Sequence, residues 1–419
     1  MIENAILNTG STILYFFLQW LTTVIAVRLA DFETAGIYAL AVSFTNLFYF
    51  VALFGIRNYQ ISDIEGRFSE AQYVGARIIS SLAAVVSFCA AILLADFDAY
   101  ALKCYSLYMV FKLGEAYTEG YFSVLQRRGQ YKRLAGSYTA KAVIPFVLFA
   151  GLLRATHDLL YGILGLVIGY AAAVAIVDFL GWEKGRQKRV DFSGSTDILK
   201  QCLPLMLVSL TVPFMNYVTR SAVEREMNYY YVGQYSSLSS VIVVMSTLAG
   251  AVFVVLIPEV SVLAGAGRWG QIKRLFLLAA VGMVSIMAAV VVVGKVFGPA
   301  VCEVIFGPEI LESISLLVPL LVTASLLMIK SFFSAMLVPL KQSRMLLIGE
   351  CSGAVLCGLT AYRFTSRWGM QGANLSYLLG IALQIVILGG WCFRTALCRH
   401  VDERGATDGE KSAQEPDGK

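Results

Sequence analysis

The sequence is short of charge and almost without histidine. Only 15% of its 419 residues are Asp, Glu, Lys or Arg, and only two are histidine. His157 falls in a loop and His400 in the C-terminal tail, so neither a zinc site nor a histidine-centred catalytic group is visible. The eight cysteines are scattered, with no CxxC or Cys/His spacing, and read as small apolar filler. No GxxxxGK[ST] loop for ATP phosphates occurs. Nothing in the pattern calls for a metal or a cofactor, and long polar loops able to carry an enzyme active site are missing.

What the sequence has is hydrocarbon. It is 58% hydrophobic, with a mean hydropathy of +0.71. Twelve apolar runs recur, at about 5–27, 36–56, 74–95, 102–126, 135–153, 159–180, 198–219, 233–257, 274–297, 313–338, 345–362 and 373–394. Each is long enough to cross a bilayer core of about 30 Å. The first run lacks the basic start and small-residue cleavage site of a signal peptide and reads as a retained helix. The expected fold is all-α: a polytopic membrane protein of about twelve helices, with the lipid bilayer as its surroundings.

Basic residues set the orientation. With the N-terminus inside, the inner loops and helix ends hold 22 Lys and Arg, and the outer ones hold 8. The positive-inside rule therefore places both termini in the cytoplasm. The net charge of +5 is largely this asymmetry and is no sign of a nucleic-acid partner.

The chain divides into two six-helix halves. Residues 1–197 form the first, ending in the polar linker GWEKGRQKRVDFSGSTD (181–197), and 198–397 form the second. Residues 398–419 read as a disordered cytoplasmic tail. AGIYALAVSF (35–44) is similar to VGQYSSLSSV (232–241), and YGILGLVIGY (161–170) to WGMQGANLSY (368–377), in the same order. An even number of helices per half makes this a parallel repeat, an arrangement that tends to hold a substrate site between its halves.

Charges inside the runs are the candidates for function. In the fourth run Tyr105, Tyr108, Lys112, Glu115, Glu119 and Gln126 fall on one helix face. A Lys at the centre of a span costs about 2.5–3.5 kcal/mol, so this stripe faces protein or a water-filled cavity. Folding the fourth and fifth helices about Gln130 puts Glu119 and Lys141 at matched depth. Folding the tenth and eleventh about Leu340 does the same for Lys330 and Glu350. These are either two structural ion pairs or parts of a polar lumen. The first helix adds an uncharged stripe of Asn4, Asn8, Ser11, Tyr15, Gln19 and Thr22, and the seventh places Ser209, Asn216 and Arg220 on one face near Pro213.

GIRNYQISDIEGRF (55–68), FLQWLTTVIAVRLADFETAGIYALA (17–41) and WGMQGANLSYLLG (368–380) resemble segments of bacterial polysaccharide flippases (Wzx-type). These belong to the multidrug, oligosaccharidyl-lipid and polysaccharide exporter superfamily. The resemblance implies a V-shaped pair of six-helix bundles in the cytoplasmic membrane. It also implies movement of undecaprenyl-pyrophosphate-linked oligosaccharide units to the outer leaflet by alternating access, with no enzyme activity of its own. Glycosyltransferases and a polysaccharide polymerase would then be its pathway partners. Lys112, Lys141, Lys330 and Arg57 are candidates to hold the anionic pyrophosphate. Glu115, Glu119 and Glu350 are candidates to couple transport to an ion gradient. Arg57 and Asp63 have a plainer reading, as a topological anchor and a helix-end turn. A multidrug–cation antiporter of the same superfamily is the alternative, disfavoured by a first helix with no acid in its membrane portion. Twelve spans disfavour a peptidoglycan-precursor flippase, which commonly has two more. Short outer loops disfavour a membrane glycosyltransferase or polymerase.

The topology predicts that a cysteine placed at Asp98 is labelled by an impermeant reagent from outside the cell and one at Gly185 is not. The reverse pattern would overturn it.

Overall fold

In hydrocarbon every backbone N–H and C=O must find its partner within the chain, and this chain meets that demand with helices. The computed structural model describes residues 2–63, 66–179, 190–240, 260, 262–338, 340 and 342–413, among which there is no strand. The first half comprises α1 (Ile2–Leu29), α2 (Phe32–Leu53), the short α3 (Ile56–Ser62), α4 (Glu70–Leu94), α5 (Ala99–Arg127), α6 (Tyr131–Thr156) and α7 (Leu159–Ala173), which ends in a π-helical turn, Val174–Phe179. The second comprises α8 (Ser195–Glu226), α9 (Tyr229–Ser239), α10 (Trp269–Phe306), a 3-10 segment (Pro308–Leu316) leading into α11 (Leu317–Leu337), and a long element, Ser343–Ala413. Gly369 (φ 55°, ψ −139°) breaks this last element into α12 (343–368) and α13 (370–413). With α3 counted as the end of α2, each half holds six helical elements among the described residues, and the chain is a multi-pass membrane protein.

Nine stretches among the described residues are long and apolar enough to cross a membrane by themselves. The last of them contains both α12 and α13. α5 is not among the nine, because its polar stripe lowers its hydropathy, and most of the expected eighth run lies outside the described residues. Leucines on the outer surface confirm the setting: Leu93 and Leu94 are 84% and 89% exposed. Such exposure is unfavourable in water and neutral in lipid.

Two sequence boundaries move. The segment 181–197 was expected to be linker throughout. Residues 180–189 lie outside the described residues, but Gly194, in the left-handed region (φ 73°), starts α8 at Ser195. Just before it, the Asp191 amide donates to Ala71 O at 3.2 Å, so the linker's end packs on α4. The tail expected to be disordered is helical to Ala413, and 414–419 lie outside the described residues. No proline separates it from the preceding span, and a helix already nucleated extends at little cost.

The halves meet through the first three spans of each. α2 packs on α8 and α9, α4 on α8, and α1 on α10. At the end that the charge asymmetry assigns to the outside, the contact is two-fold symmetric. A Cβ on Gly36 would lie 1.9 Å from Tyr229 O, and one on Gly233 would lie 1.9 Å from Phe32 O. Only glycine permits this crossing. The caps repeat the relation: Asp31 accepts from Thr34 N at 2.7 Å, and Asn228 accepts from Tyr231 N at 3.2 Å. The internal repeat at Gly36/Gly233 is thus a point where the halves touch each other. Around it, buried Gln234 donates to Glu309 O at 3.2 Å and accepts from Ser313 Oγ. The exposed Arg28 donates from Nε to Ile305 O at 2.8 Å and from Nη2 to Val304 O, capping the C-terminus of α10. A cation there contributes about 0.3–1 kcal/mol.

Gly36→Val drives a side chain into the Tyr229 carbonyl and is expected to cost the closed outer end about 1–3 kcal/mol. In a cysteine-free background, a cysteine at the fully buried Ser237 should then be alkylated from outside several-fold faster. Unchanged labelling would show that the crossing does not hold this end shut.

Candidate functional site

α5 begins at the cap of Asp98, whose carboxylate accepts from Tyr100 N and Ala101 N at 2.9 and 3.1 Å. Its polar stripe turns into the first bundle, so that Lys112 and Glu115 are 5% and 4% exposed. Lys112 Nζ donates to Glu115 Oε2 at 2.7 Å. It also lies 5.0, 5.6 and 5.5 Å from the ring centres of Tyr49, Tyr108 and Phe111, a desolvated cation among aromatic faces. The other carboxylate oxygen accepts from Gln19 Nε2 at 2.9 Å and from the Tyr15 hydroxyl. The uncharged stripe of α1 is therefore the counterpart of the charged stripe of α5. Thr22 continues it by bonding the Tyr38 hydroxyl at 2.8 Å, and Ser11 is buried. The side chains of Asn4 and Asn8 lie outside the described residues.

Nearer the inner end, Phe54 (φ 49°) and Gly55 (φ 68°) break the second span, and α3 starts on a new axis. Arg57 then reaches back into the bundle. Its Nη1 donates to Glu119 Oε2 at 2.6 Å and to the Tyr138 hydroxyl at 2.9 Å, and its Nη2 donates to Gln126 Oε1 at 3.0 Å. This corrects the hairpin reading, in which Glu119 was matched to Lys141. Equal depth does not fix helix rotation, and a guanidinium with two donors reaches the carboxylate from α3. Lys141 is buried over the rings of Phe122 and Tyr170, at 4.3 and 5.7 Å. Arg57 and Glu119 keep 25% and 15% of their side-chain surface exposed, more than the Lys112–Glu115 pair. Asp63 accepts from Arg67 N, Phe68 N and Tyr73 Oη at 3.0, 3.2 and 2.8 Å, and so fastens the turn after α3.

In the second half the expected pair forms. Lys330 Nζ donates to Glu350 Oε1 and Oε2 at 3.1 and 3.2 Å. Ser334, Thr211 and Gln384 also donate to this carboxylate, at 2.6, 3.1 and 3.3 Å. Four helices, α8, α11, α12 and α13, are tied at one buried acid. Ser334 lies one turn beyond Lys330 on α11; Thr211 and Gln384 carry no local signal.

Two arginines stand apart. Arg77, counted among the inner helix ends, is the eighth residue of α4 and only 5% exposed. Its Nη1 donates to Leu53 O at 3.4 Å, and its Nη2 has no hydrogen-bond partner among the described residues. Half-buried Arg220 donates to Ala39 O of the opposite half at 3.3 Å and forms no ion pair among the described residues. Ser209 bonds its own helix at Leu205 O. No group of three or more His, Cys, Asp or Glu among the described residues could hold a metal ion.

The arrangement is similar to solved structures. One is described as the inward-facing conformation of a multidrug resistance MATE family transporter of the MOP superfamily; it shares 17% identity over 91% of this chain and 94% of its own, with a TM-score of 0.72. A MATE in complex with MaL6 shares 14% identity over 95% and 97%, with a TM-score of 0.66. A MOP superfamily transporter from Pyrococcus furiosus shares 16% over 95% and 96%, with a TM-score of 0.61; its description states that reverse polarity of its binding pocket suggests a different function. The chain has the fold of these transporters. That fold is twelve helices in two bundles, as the hydropathy pattern and the repeat imply. No family model and no curated protein matches the sequence.

Lys330→Met leaves Glu350 buried without its counter-charge and is expected to cost about 3–5 kcal/mol, whereas Lys330→Met with Glu350→Gln recovers most of the folded yield. Fluorescence-detected gel filtration after heating measures both. Equal losses would show that the residues are not coupled.

Proposed function

We propose that the chain is a flippase of the bacterial cytoplasmic membrane that moves polyprenyl-pyrophosphate-linked oligosaccharides to the outer leaflet for surface polysaccharide synthesis. The observation that carries this reading is the sign of the embedded charge. Within the described spans and at their ends, the interior and the junction of the halves hold Arg57, Arg77, Lys112, Lys141, Arg220 and Lys330 against Asp63, Glu115, Glu119, Glu224 and Glu350. An excess of cations favours an anionic passenger and disfavours a cationic drug.

The residues suggest an order of events. The outer end is closed, and one similar structure is described as inward-facing, which supports a resting state open to the cytoplasm. Arg57, more exposed than the paired Lys112 or Lys330, meets the pyrophosphate first and exchanges Glu119 for it. Lys112 follows deeper in the bundle, exchanging Glu115. The released carboxylates are then free to take up a cation or proton, which couples transport to a gradient. Rocking of the halves about the α2–α9 crossing carries the site to the other side. Lys330 and Glu350 hold the second bundle rigid during that motion. Multidrug–cation antiport is the second reading, favoured by the names of the similar structures.

Reconstituted vesicles separate the two. Flipping of a polyprenyl-pyrophosphate disaccharide without efflux of a cationic dye supports the flippase; the reverse result refutes it. Lys112→Ala is expected to reduce flipping at least tenfold with normal membrane levels, and Lys112→Arg to retain part of it. Full flipping by Lys112→Met combined with Glu115→Gln and Glu119→Gln would reduce Lys112 to a counter-charge.

A further inference from the structure

We propose that the junction of α2 and α4 with α8 and α12 is a second part of the passenger site, which takes one hydrocarbon chain of a polyprenyl phosphate with its anionic end at Arg77. The inference rests on the lipid-linked substrate reading and adds where the lipid goes.

A cavity of about 340 Å³ lies at this junction. Leu47, Phe48 and Val51 of α2 form one wall, and Leu207 and Phe214 of α8 with Val355 of α12 form the other. The lining is apolar apart from Ser87 and Thr211, and Thr211 is already bonded to Glu350. Val355 is 58% exposed and Ser87 is exposed, so the cavity opens sideways towards lipid. Leu207 to Phe214 spans about 10 Å at 1.5 Å per residue. At roughly 30 Å³ for a water-sized group, the space takes about eleven carbons. That is a short length of one chain, too little for the paired tails of a phospholipid.

The polar end is on the same seam. Arg77 hydrogen-bonds Leu53 O, two residues beyond Val51 on α2. Its helix, α4, packs on α8 across the junction. Its buried Nη2 has no partner among the described residues. An unsatisfied guanidinium donor in such a place costs stability unless a ligand bonds it, and a phosphate oxygen is its natural acceptor. Because the walls belong to different halves, a bound chain is gripped in one arrangement of the halves and released in another. A lipid bound to one bundle alone would not be.

The full chain in phosphatidylethanolamine/phosphatidylglycerol vesicles is photolabelled with a diazirine-tailed polyprenyl pyrophosphate, and in parallel with a diazirine-acyl phosphatidylglycerol. The expected result is polyprenyl labelling of peptides around 47–51, 207–214 and 351–355, displaced by unlabelled polyprenyl pyrophosphate and not by phosphatidylglycerol. Ser87→Trp and Val355→Trp, both at exposed rim positions, should cut that labelling at least fivefold. Arg77→Gln should weaken displacement about tenfold, and Arg77→Lys should restore part of it. Equal labelling by the phosphatidylglycerol probe, or labelling indifferent to the tryptophans, overturns the proposal. Displaceable labelling in a protein that flips no lipid-linked sugar would leave this site standing and refute the flippase reading.

Discussion

An ion inside hydrocarbon must be matched by charge and hydrogen bonds from the protein itself, and that requirement organises both bundles. The second half meets it at Glu350. Glu350 receives bonds from Lys330, Ser334, Thr211 and Gln384, and its four helices form one unit. The first half meets it in a chain of partners: Lys112 to Glu115 to Tyr15 and Gln19, then Arg57 to Glu119 and Gln126. There the cations outnumber the acids. A fully matched network resists change, whereas one with an excess of one sign gains by admitting a ligand of the other.

The apolar runs and the charge asymmetry were enough to lay out the spans, because bilayer thickness acts on every helix alike. The break in the second span was hidden. Phe54 and Gly55 are ordinary residues in a hydrophobic run, and only their backbone shows that α3 leaves on a new axis. That break is also why Glu119 was given the wrong partner. Hairpin symmetry compares two helices, and the guanidinium came from a third element. Lys330 and Glu350 escaped this error because no other cation among the described residues pairs with Glu350.

Polar positions were legible as stripes but not as bonds. Tyr15 and Gln19 stood out on α1 by their spacing, yet Glu115 is about a hundred residues away in sequence and nothing local names it. Thr211 and Gln384 are single polar residues in apolar helices, a pattern shared by many residues that bond only their own backbone, as Ser209 does. Counting charge over loops and helix ends together fixes the orientation of a span but not the depth of each cation: Arg77, the eighth residue of α4, is deep inside the protein.

The crossing of α2 and α9 has the pattern of a homodimer contact within a single chain. Each glycine clears a carbonyl of the other half, and each helix cap repeats its counterpart. In a true dimer, residue i meets j and j meets i, and one substitution alters the contact twice. Two fused copies escape that doubling, because each half can change alone. Away from the axis their embedded charges differ: Lys112 and Glu115 serve one bundle, Lys330 and Glu350 the other. On the axis divergence is blocked, since enlarging either glycine closes the same gap. Those few positions are where the ancestry of a duplicated protein stays readable after the rest of its sequence has drifted.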